Sequence, residues 1–233
     1  MIMNDYVIAP PAVSSLPVDG STQRFPVARV FCLGRNYLWG DAVAAPRSFP
    51  LFFMKPASAV VEATARVDFP VQTDEFCPEI ELVVAIGIGG VDIPEARALE
   101  HVWGYAAGLD MTRRDLQMAA KAAGQPWEAA KAFDASAPVT PIVPSARIGH
   151  PQQGALWLAV NGIERQRSDL EAQIWSVAEV VSQLSRSLRL EAGDLIMTGT
   201  PPGVEPLQPG DLISAGIEGI ARLQVRVGQR PTR

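Results

Sequence analysis

The chain has 233 residues, of which 48% are apolar and 19% are charged, which is typical of a globular domain and excludes a disordered chain. Its net charge of −5 comes without any block of lysine and arginine, so nucleic acid is not an expected partner. The longest apolar runs, such as residues 82–88, are far shorter than the ~20 residues that a membrane-spanning helix needs, so no membrane association is expected.

Short strands dominate the predicted secondary structure, because 20 prolines and 19 glycines interrupt the chain at close intervals. The predicted strands cover residues 6–8, 30–33, 51–54, 79–88, 103–109, 156–160, 195–198, 212–214 and 221–227, and the predicted helices cover residues 94–101, 111–123 and 176–188. Asp92 is the expected N-cap of the first helix, and Gly124 the expected left-handed residue after the second. No regular alternation of strands and helices occurs, which argues against a doubly wound sheet. We therefore predict one mixed, β-rich (α+β) domain over residues 25–233, after a lead-in segment of residues 1–24.

The N-terminus and the cysteines predict the cellular compartment of the protein. The N-terminus lacks the basic segment followed by an apolar one that marks an export signal. The two cysteines, Cys32 and Cys77, do not suggest a disulfide framework. A reducing cytoplasm is therefore the expected location.

Two glutamates at the start of an apolar strand are the first candidate ligands. Glu79 and Glu81 are two residues apart, so in a strand their side chains point to the same face, with Cα atoms about 7 Å apart. Burial of two like charges requires either a bound proton or a cation. Oxygen ligands favour Mg²⁺, Mn²⁺ or Ca²⁺. The alternative, which is commoner for an isolated Glu-x-Glu pair, is a solvated strand end.

Asp110 immediately precedes the helix predicted over residues 111–123. On a helix, Asp110, Arg114 and Gln117 are spaced to share one face. That face would combine a carboxylate, a guanidinium group and an amide, and it could hold a metal and a substrate carboxylate together. The planar guanidinium group matches the geometry of a carboxylate. The alternative is an ordinary helix cap with a nearby ion pair.

Two further positions carry polar groups that suit an active site. Lys131 lies among apolar neighbours, and a partly buried lysine can anchor a substrate or an enolate. Thr200 lies in a glycine- and proline-rich turn that presents hydroxyl and N–H groups. The alternatives are a surface lysine and a plain hairpin turn.

Around these candidate residues, the sequence resembles the fumarylacetoacetate hydrolase family, and within it the bacterial fumarylpyruvate hydrolases of gentisate breakdown. The matching stretches are FCLGRNY at residues 31–37, FFMKP at 52–56, EIELVV at 79–84, GY at 104–105, LDMTRRDLQ at 109–117, KAFD at 131–134, VNG at 160–162 and GDLIMTGTPPGV at 193–204. They occur in the family's order and extend over almost the whole chain from Phe25 onward.

The resemblance implies a β-roll like the C-terminal domain of this family, with a few short helices, assembled as a homodimer. It implies Mg²⁺ or Mn²⁺, with Ca²⁺ as a further possibility, bound by Glu79, Glu81 and Asp110. The implied substrates are acylpyruvates such as fumarylpyruvate, small oxo-acids whose C–C bond is hydrolysed in aromatic catabolism.

The resemblance also implies roles for residues around the metal. Arg114 and Gln117 match the substrate-contacting Arg and Gln of the family, and Lys131 and Thr200 match its active-site Lys and Thr. Lys131 and the metal would stabilise the charge of the leaving enolate. Within the matching stretches, Arg35 and Lys55 are further candidates for substrate contact.

One segment departs from the family's pattern. After the Asn-Tyr pair, family members carry a short lid helix with a His and, three residues later, a Glu that together activate the attacking water. Counting from Asn36 and Tyr37 places Gly40 and Val43 at these two positions. Asp41 is the lid's one carboxylate and a candidate substitute base.

The chain has two histidines elsewhere, His101 and His150. Neither lies where the lid motif needs it, so both are expected to be structural or surface residues. Three interpretations remain: an acylpyruvase that uses another base, an enzyme for oxo-acid tautomerisation or decarboxylation, and a family member that only binds oxo-acids.

Overall fold

The computed structural model describes residues 6–38, 47–64 and 66–230. The strands in chain order are β1 Ser15–Pro17, β2 Arg24–Pro26, β3 Val30–Gly34, β4 Leu51–Lys55, β5 Val60–Glu62, β6 Arg66–Val67, β7 Phe76–Cys77, β8 Ile80–Ile86, β9 Val102–Leu109, β10 Thr112–Arg113, β11 Ala137–Val139, β12 Val143–Pro144, β13 Ala155–Val160, β14 Ile163–Asp169, β15 Leu195–Met197, β16 Leu212–Ile217 and β17 Ala221–Val227. The α-helices are α1 Arg114–Ala123, α2 Glu128–Lys131, α3 Ser145–Ile148 and α4 Val177–Ser187, and the 3₁₀ helices are Ala57–Ala59, Glu95–His101 and Leu170–Ala172. The mixed, β-rich architecture is thus confirmed. Within these described ranges, no helix is long and apolar enough to cross a membrane.

The largest sheet runs through the middle of the molecule. Its strands follow the order β4-β3-β15-β8-β9-β11-β5, and β12 pairs with β9. The central strand β8 is buried on both faces, as its nearly continuous apolar sequence predicts. Leu82 and Val84 face one core cluster, whereas Val83 and Ala85 face the other, because side chains alternate along a strand.

A second, five-stranded sheet covers one face of the first. Its order is β14-β13-β16-β17-β6, and Leu156, Leu158 and Ile213 share a core cluster with the even-numbered residues of β8. The helix α4 packs into the same cluster. Its N-terminus is closed by a capping box, in which the Ser176 hydroxyl accepts from the Glu179 N–H and the Glu179 carboxylate accepts from the Ser176 N–H.

The N-terminal segment takes part in the fold. β1 pairs with β2 in antiparallel register, and Leu16 is fully buried in the second core cluster. The structure therefore incorporates residues 15–17 of the predicted lead-in. The strand predicted at residues 6–8 is wrong, since residues 7–8 form a bend.

Two helix predictions need correction at their N-termini. Residues 95–101 form a 3₁₀ helix whose preceding residue is Pro94, and Asp92, with a φ of 50°, does not cap it. The helix predicted from residue 111 begins only at Arg114, because Thr112 and Arg113 pair with β7 as the strand β10. Its predicted end is confirmed, with Gly124 in the left-handed conformation at a φ of 62°.

Candidate functional site

The antiparallel register of β8 and β9 brings the three candidate carboxylates together. Ile80 lies opposite Leu109, and the Asp110 N–H donates to the Glu79 carbonyl oxygen at 2.9 Å, so Glu79 and Asp110 face each other. Glu81 projects from the same face as Glu79. One oxygen atom from each carboxylate lies within 4.8 Å of the others. The predicted pairing of the glutamates is confirmed, whereas Asp110 lies in the link between β9 and β10 and not on the helical face predicted for it.

All three carboxylates are buried, which excludes a solvated strand end. Glu79 is 6% exposed, Glu81 2% and Asp110 0%. Burial removes the water that would otherwise stabilise their charges, so the repulsion among them has to be compensated by nearby cations or protons.

Lys131 supplies one such cation. Its Nζ donates to Glu79 Oε2 at 2.9 Å, to Asp110 Oδ2 at 2.6 Å and to Thr112 Oγ1 at 2.6 Å. The side chain is almost fully buried at the end of α2, so the surface-lysine alternative is wrong. Burial favours the neutral form of Lys131, but the carboxylates of Asp110 and Glu79 outweigh it and raise the pKa of the ammonium group.

Lys55 supplies a second cation from the opposite side of Asp110. Its Nζ lies 2.8 Å from Asp110 Oδ1 and donates to the carbonyl oxygens of Met111 and Lys131. Burial opposes the charged form of Asp110, yet Lys131 and Lys55 prevail and lower the pKa of this carboxyl group. Lys55 is fully buried and does not line the adjacent cavity, so its predicted contact with substrate is replaced by a contact with Asp110.

Glu81 is held in a different way. Its Oε2 accepts the Gly199 N–H at 2.7 Å. Burial, followed by the charges of Asp110 and Glu79, raises the pKa of Glu81 well above its ordinary value. A further positive charge beside this carboxylate would favour its ionised form.

The donor set fits a hard divalent cation. Three carboxylates on one face offer oxygen atoms at mutual distances that a single ion can span, and they line a cavity through which an ion can enter. Oxygen-only donors suit Mg²⁺ or Mn²⁺. Such an ion would also favour the ionised form of Glu81.

The turn after β15 closes one side of the site. Gly199 has a φ of 95°, and a Cβ atom there would lie 2.7 Å from the Asn36 Cβ, so only glycine fits. The next residue, Thr200, donates its hydroxyl to the Ile80 carbonyl oxygen at 2.8 Å and accepts from Gln166 Nε2 at 2.9 Å. Its hydroxyl proton is therefore already hydrogen-bonded to Ile80, the residue between the two glutamates.

Gln166 connects this turn to β8 through hydrogen bonds. Its role was not predicted from the sequence. It is 1% exposed, although it lies on β14 of the second sheet. Its Oε1 accepts the Ile80 N–H at 3.1 Å, and its Nε2 donates to Thr200 and, at 2.7 Å, to the Pro201 carbonyl oxygen. One side chain thereby joins the glutamate strand to the opposite wall of the site.

The site opens into a cavity of about 400 Å³. Its wall contains all the predicted site residues except Lys55, namely Glu79, Glu81, Asp110, Arg35, Arg114, Gln117, Lys131 and Thr200. The Arg114 Nη1 donates to Gln117 Oε1 at 2.8 Å and lies 4.0 Å from Glu79 Oε1, so these two helix residues stand beside the acidic end.

The cavity also has lining residues that were not predicted. Lys121 follows Gln117 by four residues and Arg114 by seven, a spacing that places all three on one face of α1 and could have revealed it. Trp127 and Phe53 form an apolar part of the wall, with their ring centroids 5.6 Å apart. Nothing in the local sequence distinguishes these rings from ordinary core residues.

The predicted lid positions Gly40, Asp41 and Val43 lie outside the described residues. The two histidines lie within them, and neither lines the cavity. His101 Nδ1 is 2.8 Å from the Ile88 carbonyl oxygen, and His150 Nδ1 is 2.7 Å from the Tyr105 hydroxyl. Their predicted structural roles agree with these contacts.

Comparison with known proteins identifies relatives of this chain. Residues 29–228 match the family described as Fumarylacetoacetate (FAA) hydrolase C-terminal. The chain is 42% identical to oxaloacetate tautomerase FAHD1, mitochondrial, of Mus musculus over 202 residues, which are 85% of this chain and 90% of the relative. It is 43% identical to fumarylpyruvate hydrolase of Ralstonia sp over 177 residues, which are 76% of this chain and 92% of the relative.

A solved structure has the same fold. The fumarylpyruvate hydrolase from Pseudomonas aeruginosa, in complex with Mn²⁺ and pyruvate, superposes with a TM-score of 0.94 at 50% sequence identity. The alignment covers 97% of this chain and 100% of the other. The β-roll with a few short helices that was expected from the sequence is thereby confirmed.

The position of Gln166 leads to a prediction about stability. Gln166→Leu keeps the volume but leaves the Ile80 N–H and the Pro201 carbonyl without their partner, at a cost of about 1–3 kcal/mol for each buried group. Urea unfolding should therefore show a lower free energy of unfolding for this variant. The matched control is Gln224→Leu, because Gln224 is exposed and its side chain donates to the Ser214 hydroxyl. Equal losses in the two variants would contradict the role given to Gln166.

Proposed function

Because the chain belongs to the fumarylacetoacetate hydrolase family, we propose that it is a metal-dependent enzyme that hydrolyses the C–C bond of an acylpyruvate such as fumarylpyruvate. The observation that carries the proposal is the buried triad of Glu79, Glu81 and Asp110, with Lys131 among its oxygen atoms and a cavity in front of it. The fumarylpyruvate hydrolases of Ralstonia and Pseudomonas support the choice of substrate.

The triad would hold Mn²⁺ or Mg²⁺. When bound, such an ion acts as a Lewis acid on the carboxylate and oxo oxygen atoms of an oxo-acid. The complex of the Pseudomonas relative with Mn²⁺ and pyruvate supports this pairing of ion and ligand.

Arg114 and Gln117 would orient the substrate. Both side chains line the cavity beside the acidic end, and they are already hydrogen-bonded to each other. A guanidinium group can donate two parallel hydrogen bonds to a carboxylate, and the amide can donate a further one. The oxo-acid end of the substrate would thus be held in one orientation against the triad.

Lys131 would stabilise the charge that develops in the reaction. Hydrolysis adds the oxygen of water to the acyl carbon, and the electron pair of the broken C–C bond passes to the pyruvate fragment as an enolate, which then takes up a proton. The Lys131 ammonium group is kept charged by Asp110 and Glu79 and lines the cavity where that enolate would form. A preorganised cation in such a position lowers the barrier without reorganisation.

A second candidate function is the tautomerisation or decarboxylation of a small oxo-acid. The family's lid His and Glu correspond to Gly40 and Val43 in this chain. Tautomerisation requires enolate stabilisation but no attacking water, so it does not need that pair. Among the non-hydrolytic reactions, the 42% identity with the oxaloacetate tautomerase of Mus musculus favours tautomerisation.

The metal proposal predicts a change in thermal stability. Mn²⁺ at about 100 times its Kd should stabilise the folded chain by about 2.7 kcal/mol and raise Tm accordingly. Glu81→Gln should abolish most of this rise, because it removes a charged ligand while keeping an acceptor for the Gly199 N–H. Glu171→Gln, an exposed position remote from the triad, is the matched control. A wild-type response to Mn²⁺ in Glu81→Gln would exclude this metal site.

The catalytic proposal predicts the products of the reaction. Purified, Mn²⁺-loaded chain should convert fumarylpyruvate to fumarate and pyruvate, followed by NMR, and Lys131→Met should lower kcat by about 10²–10³-fold, as loss of one charge-stabilising group does. Turnover of oxaloacetate alone would favour the second candidate function. Binding of pyruvate without turnover of either compound would leave only a binding protein.

A further inference from the structure

The cations of the cavity fall into two groups. Lys131 contacts Glu79 and Asp110, and Arg114 lies beside Glu79, so both belong to the acidic end. Arg35 and Lys121 also line the cavity, yet no carboxylate of the described residues lies within 4.0 Å of their charged groups. Among the described residues, these two side chains thus line the cavity without a carboxylate partner.

Two aromatic rings separate Lys121 from Lys131 along the cavity wall, because Lys131 Nζ lies 5.2 Å from the Phe53 ring centroid and the Phe53 ring packs on Trp127. Lys121 follows Arg114 by seven residues on α1, which separates their Cα atoms by about 10 Å along the helix axis. The Lys121 ammonium group lies over the ring of Trp127, 4.8 Å from its centroid. The half-buried Lys121 has a lowered pKa because of burial and then of repulsion by Arg114, and Arg35 adds to this repulsion.

The backbone at Arg35 supports a functional position. Its φ is 61°, in the left-handed region that a residue with a long side chain seldom adopts. The neighbouring Asn36 fixes this conformation, because its side chain donates to the Trp175 and Thr198 carbonyl oxygens and accepts the Trp175 N–H. Strained backbone that the surroundings enforce is concentrated at ligand sites.

The overall charge of the cavity favours a ligand with two negative charges. Among the described residues that line it, Arg35, Arg114, Lys121 and Lys131 exceed the three carboxylates by one positive charge, and a divalent cation would increase the excess. Between the two charged ends, the wall contains apolar side chains, among them Leu33, Phe53 and Trp127. The cavity therefore matches a molecule with an acid at each end and a short apolar middle.

We propose that Arg35 and Lys121 form a subsite for a second, distal carboxylate, and that the enzyme selects oxo-acids whose chain ends in a carboxylate several carbons beyond the oxo group. This inference rests on the proposed function, since it assigns the far end of the same cavity. It favours a long acidic acylpyruvate over oxaloacetate, in which only one carbon separates the oxo carbon from the second carboxylate.

The test compares two ligands that differ only in the distal carboxylate. 2-Oxoadipate and 2-oxohexanoate have the same chain length and the same oxo-acid end, and neither has the 4-oxo group at which an acylpyruvate is cleaved. Calorimetry with the Mn²⁺-loaded chain should show 2-oxoadipate binding at least about ten-fold more tightly, as expected of one charge-assisted hydrogen bond. Lys121→Met should remove this preference, and Lys121→Arg should retain it.

The matched control is Arg97→Met. Arg97 is exposed, pairs with Glu100 and lies outside the cavity, so its loss changes the net charge equally without touching the subsite. This variant should keep the preference for 2-oxoadipate.

The outcomes separate the two proposals. Equal affinity of the wild-type chain for both ligands would overturn the distal subsite, even if fumarylpyruvate is hydrolysed. A preference for 2-oxoadipate without hydrolysis of fumarylpyruvate would support the subsite and contradict the proposed function. Binding of neither ligand would overturn the distal subsite, and the hydrolysis of fumarylpyruvate would then decide the proposed function separately. The wild-type comparison requires no variant, so a Lys121 variant that fails to fold does not prevent a decision.

Discussion

Repulsion among three buried carboxylates is the constraint to which the surrounding structure responds. One oxygen atom each of Glu79, Glu81 and Asp110 lies within 4.8 Å of the others, and all three side chains have little exposure to solvent. Lys131 and Lys55 approach from two sides and keep Asp110 ionised, whereas Glu81 receives a backbone N–H and has a raised pKa. A divalent cation would complete this partial neutralisation, and the same ion would attract an anionic oxo-acid to the cavity.

The sheet supplies the rigidity that this arrangement needs. Two glutamates on one strand and an aspartate opposite them are held by antiparallel pairing, and the apolar residues beyond them are buried on both faces of the sheet. The second sheet contributes Gln166, which hydrogen-bonds to both walls of the site. Because strands hold these groups in position beforehand, little free energy is needed to reorganise the site when charge develops in a bound substrate.

Local periodicity explains which parts of this site could be predicted from the sequence. The pairing of Glu79 with Glu81 follows from the two-residue repeat of a strand. The resemblance grouped Asp110 with them, and the structure places it there, although its position depends on strand register and not on a helical face. Register, burial and inter-sheet contacts depend on distant residues, so the sequence indicated neither the support that Lys55 gives Asp110 nor the contribution of Gln166. A glutamine in an alternating strand is ordinarily expected to face solvent, whereas this one is buried by the other sheet.

The central claim is that the three carboxylates bind one divalent cation at the inner end of the cavity. Anomalous diffraction from crystals grown with Mn²⁺ tests it directly, because manganese scatters anomalously where the protein's light atoms do not. The account predicts one strong peak in contact with an oxygen atom of each of Glu79, Glu81 and Asp110, and no such peak in crystals of Asp110→Asn. A strong peak elsewhere, or an empty triad in the presence of excess Mn²⁺, would contradict the account.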